Sequence, residues 1–241
     1  MDYFALFLDS LCLLVGHGVM HMVFISRLTG KKLKKWYFAV YFLLLGMIQF
    51  LSDRLALDGT LPVAVGVLAL YGLSRYGMGN QRSVSWLAAV LSYYISQLSF
   101  GIINSVEAAL FPRFIGSPLF YLLFLAAQLL FFVLCAGCYY AVLKLLAWTE
   151  DSQTPYIGLL LFPGLFFFAA ELYILHTAYS IFAPIISLEE VGRHSTLLLL
   201  QVMGLAALLC TLYAYRQLCK GFQAQAELQS LTQAAHEQKV Y

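Results

Sequence analysis

The sequence predicts an all-α membrane protein, a bundle of seven transmembrane helices with its N-terminus outside and its C-terminus in the cytoplasm. Three observations carry this. Apolar residues make up 62% of the chain and charged ones 11%, against about 45–50% and 25% in soluble domains. Mean hydropathy is +0.82. The apolar residues form long runs separated by short polar turns, and the cations are distributed unequally between alternate turns.

Tyr3–Ile25 is the first span. Met1-Asp2-Tyr3 lacks the basic flank of a signal peptide and no small-residue cleavage site follows, so this run is retained. Ser26–Lys35 (SRLTGKKLKK) is a compact basic loop with five of the fourteen Lys and Arg, which keeps it inside. Trp36–Leu51 returns outward, Ser52–Thr60 is an outer turn, and Leu61–Leu73 is a third span near the lower length limit. Arg75–Arg82 is an inner turn. Ser85–Ile103 then runs outward, and Asn104–Gly116 is an outer connection, partly helical up to Pro112. Ser117–Leu146 is longer than a bilayer needs and therefore tilts or projects. Trp148–Thr154 turns inside, Tyr156–Ile181 goes out with a kink at Pro163-Gly164, and Phe182–Ser195 is the last outer loop.

The last span, Thr196–Tyr215, is closed by Arg216 and Lys220. Two parts follow: residues 1–215 as the membrane domain and residues 216–241 as a cytoplasmic helix. The polar stretch has no Pro and one Gly, and is rich in Ala, Gln, Glu and Leu, so the helix continues out of the membrane, reaching roughly 40 Å at about 1.5 Å per residue. Val240-Tyr241 carries no stop signal, and the helix reads as interrupted there. In this arrangement eleven of the fourteen Lys and Arg fall inside, leaving Arg54, Arg113 and Arg193 outside. If Leu61–Leu73 did not cross, the later assignments would invert and the asymmetry would vanish.

Ionisable and amide groups within spans cost insertion energy and therefore face the bundle interior or a cavity. These are Asp9, His17, His21, Gln97, Asn104, Glu107, Glu171 and His176. His17 and His21, at i and i+4, can hold a metal from one helix face, but Gly18 replaces the Glu of H-E-x-x-H, and interhelical hydrogen bonding is the preferred reading. Gln97, Asn104 and Glu107 share one side of a helix and climb outward, as an externally open ligand pocket requires, with His176 able to join it. Helix–helix hydrogen bonding is the other reading of that stripe. Glu171 and His176, five apart, point to different faces.

Cys135-x-x-Cys138 lacks both the further ligands of a zinc site and the βαβ setting of a redox site. With Cys12, Cys210 and Cys219 it reads as apolar packing. Glu189-Glu190-x-x-Arg193 resembles the glutamate pair and arginine of intramembrane CAAX-type proteases. That family has three residues before the arginine, and its histidines follow the glutamates, so a salt-bridged turn of the outer loop is the reading adopted. No phosphate-cradling glycine loop, G-x-S-x-G or kinase nucleotide motif occurs, and the residues assign no catalytic group, metal or cofactor. The net charge of +2 is set by topology and implies no nucleic acid.

A 3/4 register runs through Ala207, Cys210, Ala214, Gln217, Gly221, Ala224, Leu228, Leu231, Ala235 and Gln238. Small residues at its membrane end permit close helix approach, and Leu228/Leu231 make a coiled-coil step, so the line forms a candidate dimer and signalling seam. A surface-lying amphipathic helix is the alternative, because Leu218 and Phe222 fall off the seam.

This layout, a polytopic sensor followed by a Gln-rich helix ending in AELQSLTQAAHEQKVY (Ala226–Tyr241), resembles the N-terminal part of bacterial GHKL-type receptor histidine kinases, the class that includes Agr-type peptide quorum sensors. The resemblance implies a homodimer in the bacterial plasma membrane that detects an extracellular small ligand or peptide. It also implies a cytoplasmic kinase domain, absent from this sequence, that would bring ATP and Mg and act on a response regulator. His236 is followed by Glu-Gln-Lys-Val-Tyr rather than an H-D-x-x-N-H-like box, so the phospho-acceptor is not carried onto it. Other classes consistent with the residues are a small transporter or channel subunit with Asp9, His17, Glu107 and Glu171 as a polar path, and an intramembrane protease-like enzyme.

Overall fold

A computed structural model describes residues 16–55, 60–110, 117–146 and 188–240, together with positions 114, 166, 169 and 170. The described residues form helices and connecting turns, with no strand among them. The helices are α1 (Gly18–Thr29), α2 (Lys35–Leu55), α3 (Thr60–Gly72), α4 (Arg82–Leu110), α5 (Pro118–Leu146) and α6 (Leu188–Val240).

Local sequence explains the helix ends. α1 stops at Gly30, whose φ of 65° is the left-handed geometry that closes a helix and suits a residue without Cβ. The Thr29 hydroxyl donates back to the Ile25 carbonyl at 2.8 Å. α3 passes into a π-helical turn, Leu73–Gly77, which closes when Met78 N–H donates to the Leu73 carbonyl at 3.0 Å. α5 begins with Pro118 at its first position and Ser117 ahead of it, the Ser117 hydroxyl accepting from Leu119 N–H at 3.2 Å.

α4 is the hub. It packs against α1, α3, α5 and α6, and two apolar clusters form around it. On one side Leu91, Ile95 and Leu98 meet Phe131 and Tyr139 of α5 and Leu208 and Leu212 of α6. On the other, Ala88 and Ala89 meet Tyr37 and Tyr41 of α2 and Leu70 of α3. α1 serves both, Phe24 joining the first cluster and Met22 and Ile25 the second.

Three described segments are long and apolar enough to cross a bilayer: Arg82–Glu107, Leu119–Leu146 and Ser195–His236. Lys35–Ile48 and Val63–Gly77 are apolar but shorter. The protein therefore has the helical, membrane-compatible character expected of it. Tyr156–Ile181 falls almost wholly outside the described residues, as do Trp148–Thr154 and the first part of Tyr3–Ile25.

Two expectations need correction. The loop assigned to Phe182–Ser195 is helical from Leu188, so Glu189, Glu190 and Arg193 lie on the first two turns of α6 rather than in a turn of an outer loop. Two acidic residues in the first turn complement the positive end of the helix dipole, and no Pro follows to stop it. The inner turn Arg75–Arg82 begins inside the π-helical turn, so its open part is residues 78–81.

Gly18 and Gly66 allow close helix approach. A Cβ at Gly18 would run into the Phe42 ring of α2, and one at Gly66 would lie 2.7 Å from Tyr93 Cε2. Nothing lies within 4 Å of a Cβ placed at Gly46. Gly18→Leu is therefore expected to cost about 1–3 kcal/mol by overpacking. Gly46→Ala is expected to leave thermal unfolding in detergent unchanged or raise its midpoint.

Candidate functional site

α4 carries a buried polar row as well as its apolar contacts. Ser85, Ser92, Ser96 and Ser99 recur at intervals of seven, four and three, which sets them along one helix face, and all four are buried. In an apolar interior a hydroxyl can pair across helices, as that of Ser96 does. The Tyr139 hydroxyl of α5 donates to the Ser92 carbonyl at 2.7 Å and lies 3.5 Å from the Ser92 hydroxyl.

The two histidines of the first span join this row from the opposite wall. His17 Nδ1 shares a hydrogen bond with the Ser96 hydroxyl at 2.7 Å, and His21 Nδ1 one with the Tyr41 hydroxyl of α2 at 2.8 Å. The His17 ring stacks on Phe131 with centroids 4.5 Å apart, the His21 ring on Tyr93 at 5.4 Å, and the two imidazoles meet edge-on at 6.1 Å. The i, i+4 pair thus ties α1 to α4 through one ring and to α2 through the other, the interhelical role its spacing predicts. Nε2 of each ring is buried without a hydrogen-bond partner among the described residues. No group of three or more His, Cys, Asp or Glu side chains able to hold a metal comes together among the described residues.

Gln97, Asn104 and Glu107 occupy a different face of α4. With Tyr93 and Phe100 they form a partly exposed stripe at 4/3 spacing, set apart from the buried serines. The structure therefore brings the three together on one helix as expected. His176 lies outside the described residues, as do Asp9 and Glu171, so no distance joins them to the stripe. Near the same end Ser105 Oγ lies 3.4 Å from Gln201 Oε1 of α6, where it can donate a weak hydrogen bond, and both residues are buried. Gln201 and Ser105 were not singled out in the sequence, nor were Ser96 and Tyr41. The serine spacing on α4 was a readable signal, whereas nothing in a lone Gln or Tyr announces a partner on another helix.

α6 divides its faces. Leu197, Gln201, Leu205, Leu208, Leu212, Tyr215 and Cys219 follow a 3/4 register and are buried. Among the seam residues Ala207 is half-buried, while Cys210, Ala214, Leu228, Leu231 and Ala235 are exposed. From Cys210 onward the seam thus lies roughly opposite the face that docks on the bundle, at about 100° per residue. Residues 221–236 are exposed on every side. Cys135 is buried and Cys138 half-buried, both as free thiols within the α4–α5 packing.

No protein family model matches the chain, and no curated protein and no solved structure is significantly similar to it. The site therefore rests on its own geometry.

Interhelical hydrogen bonds inside membrane proteins contribute about 0.6 kcal/mol on average and up to about 1.7 kcal/mol. Tyr41→Phe and Ser96→Ala are each expected to cost an amount in that range, measured by unfolding in mixed micelles. Because the two bonded imidazoles touch each other, the double variant is expected to depart from the sum of the single losses.

Proposed function

We propose that the chain is the membrane sensor of a two-component-type receptor in a bacterial plasma membrane. It crosses seven times with the N-terminus outside, detects an extracellular small ligand or peptide, and passes the change to a cytoplasmic histidine kinase output. The carrying observation is the continuity of α6: one unbroken 53-residue helix, about 80 Å long, packs in the bundle and then runs on exposed over residues 221–236. A helix anchored in a binding bundle at one end and exposed at the other suits the transfer of a small shift over a distance.

The ligand is assigned to the outward stripe Gln97, Asn104 and Glu107, with His176 completing it. It acts through different affinity for two states of the bundle. The subunits pair along Ala207, Cys210, Ala214, Leu228, Leu231 and Ala235, the line that α6 leaves uncovered from Cys210 onward. ATP and Mg belong to the kinase domain, which also contacts the response regulator. Eleven of fourteen cations on the inner side support this orientation.

A second reading, a small transporter or channel subunit with Asp9, His17, Glu107 and Glu171 as its polar path, draws support from half-buried His17 beside buried His21 and Ser96. It assigns no role to the seam.

Cysteine cross-linking separates the two. With Leu228→Cys and Leu231→Cys in native membranes, the receptor reading expects disulfide-linked dimers at both positions and far less at Phe222→Cys, off the seam. Absence of dimer at both seam positions overturns the pairing. A histidine box and an ATP-binding domain encoded directly after Tyr241 would support the kinase output, and a stop codon there would overturn it.

A further inference from the structure

The link between α1 and α2 is more ordered than a charge-bearing loop needs to be. Residues 30–34 are its whole length, and both ends are pinned. The Ser26 hydroxyl donates to the Lys31 carbonyl at 2.6 Å, and Tyr37 N–H donates to the Lys34 carbonyl at 3.0 Å. Tyr37 is itself buried, and its hydroxyl donates to the Gly77 carbonyl at 2.8 Å, tying this corner to the π-helical turn after α3. Lys31, Lys32, Lys34 and Lys35 are therefore held close together, and all four are exposed. The sequence has no Asp or Glu between Asp9 and Asp53, or between Asp58 and Glu107, so neither segment of this corner supplies a counter-charge.

An apolar stripe starts where the lysines end. Trp36, Val40, Leu43 and Met47 follow at intervals of four, three and four, and all are exposed, Leu43 at 64%. They occupy one face of α2 and span roughly 17 Å at about 1.5 Å per residue, close to the length of an extended acyl chain. Trp36, its ring tilted against Tyr37 with centroids 4.2 Å apart, stands at the junction, the place an indole takes at a membrane–water boundary.

We propose that this corner binds an anionic phospholipid, its phosphate on Lys31, Lys32, Lys34 and Lys35 and its acyl chain along Trp36, Val40, Leu43 and Met47. Cations and apolar stripe are consecutive in the chain, from the link into α2, and a molecule with an anionic head on an apolar chain covers both. An acidic soluble protein or a free phosphate meets the lysines alone. A second copy of this chain on the same face brings lysines against lysines. Juxtamembrane polybasic clusters attract anionic lipid through the same charge complementarity.

The test uses the full chain with Trp86→Phe and Trp148→Phe, which leaves Trp36 as the single tryptophan, in neutral detergent micelles. Quenching of Trp36 is titrated with brominated phosphatidylglycerol and with brominated phosphatidylcholine. The expected result is half-quenching at about tenfold lower mole fraction of the anionic lipid. That preference is expected to disappear when all four lysines become Gln and to persist when all four become Arg, which separates lost charge from lost folding. Equal quenching by the two lipids overturns the proposal, as does a preference that survives the Gln substitutions. Displacement of the anionic lipid by millimolar inorganic phosphate also overturns it, because the site would then read phosphate alone.

Discussion

The fold depends on the close approach of four helices to α4. Small side chains interspersed among the large apolar residues of α4 help make that approach possible. Ser85, Ala88, Ala89, Ser92, Ser96 and Ser99 are all buried, and a larger residue at any of them would hold a neighbour away. In a bilayer, lipid tails are as apolar as a leucine core, so association rests on dispersion contacts and interhelical hydrogen bonds rather than on escape from water. Ser96 and Ser92 serve both needs: the Ser96 hydroxyl bonds His17, and the Tyr139 hydroxyl donates to the Ser92 backbone carbonyl, which a small side chain leaves within reach.

The histidine pair shows how this constraint propagates. One turn separates His17 from His21, so the rings leave α1 on nearly the same side, yet each bonds a different helix. α1 is thereby fixed to α4 and α2 together, and the two apolar clusters on either side of α4 are joined through it. Aromatic faces close around the imidazoles, with Phe131 on one and Tyr93 on the other. A change at this junction reaches both clusters. That is a physical reason to regard the described helices as one packed unit.

α6 carries a second division of labour. Its buried register ends at Cys219 and its exposed tail begins at Gly221, so the same helix is core over one part and exposed over residues 221–236. Leu228 and Leu231 are each 68% exposed, one turn apart on the same side of the tail. The small residues Cys210 and Ala214 continue the same line into the bundle.

Length, apolar content and helix-forming composition were enough, read from the sequence alone, to establish an all-helical membrane-compatible chain, the continuity of the last helix into its polar tail and the hydrogen-bonding role of His17 and His21. Those properties follow from local periodicity and from the cost of leaving polar groups unpaired in an apolar medium, which act residue by residue. The choice of partners was decided by tertiary structure. Ser96, Tyr41, Ser105 and Gln201 acquire their roles from what another helix places opposite them, and no local pattern encodes that. Likewise, Glu189 and Glu190 fall in the stretch read as the last outer loop, yet charge at a helix N-terminus is favourable, and the helix begins at Leu188. The separation of the α6 seam from its docking face was also settled only by packing. A 3/4 register marks several possible stripes on one helix, and which of them turns inward depends on the shape of α4 and α5.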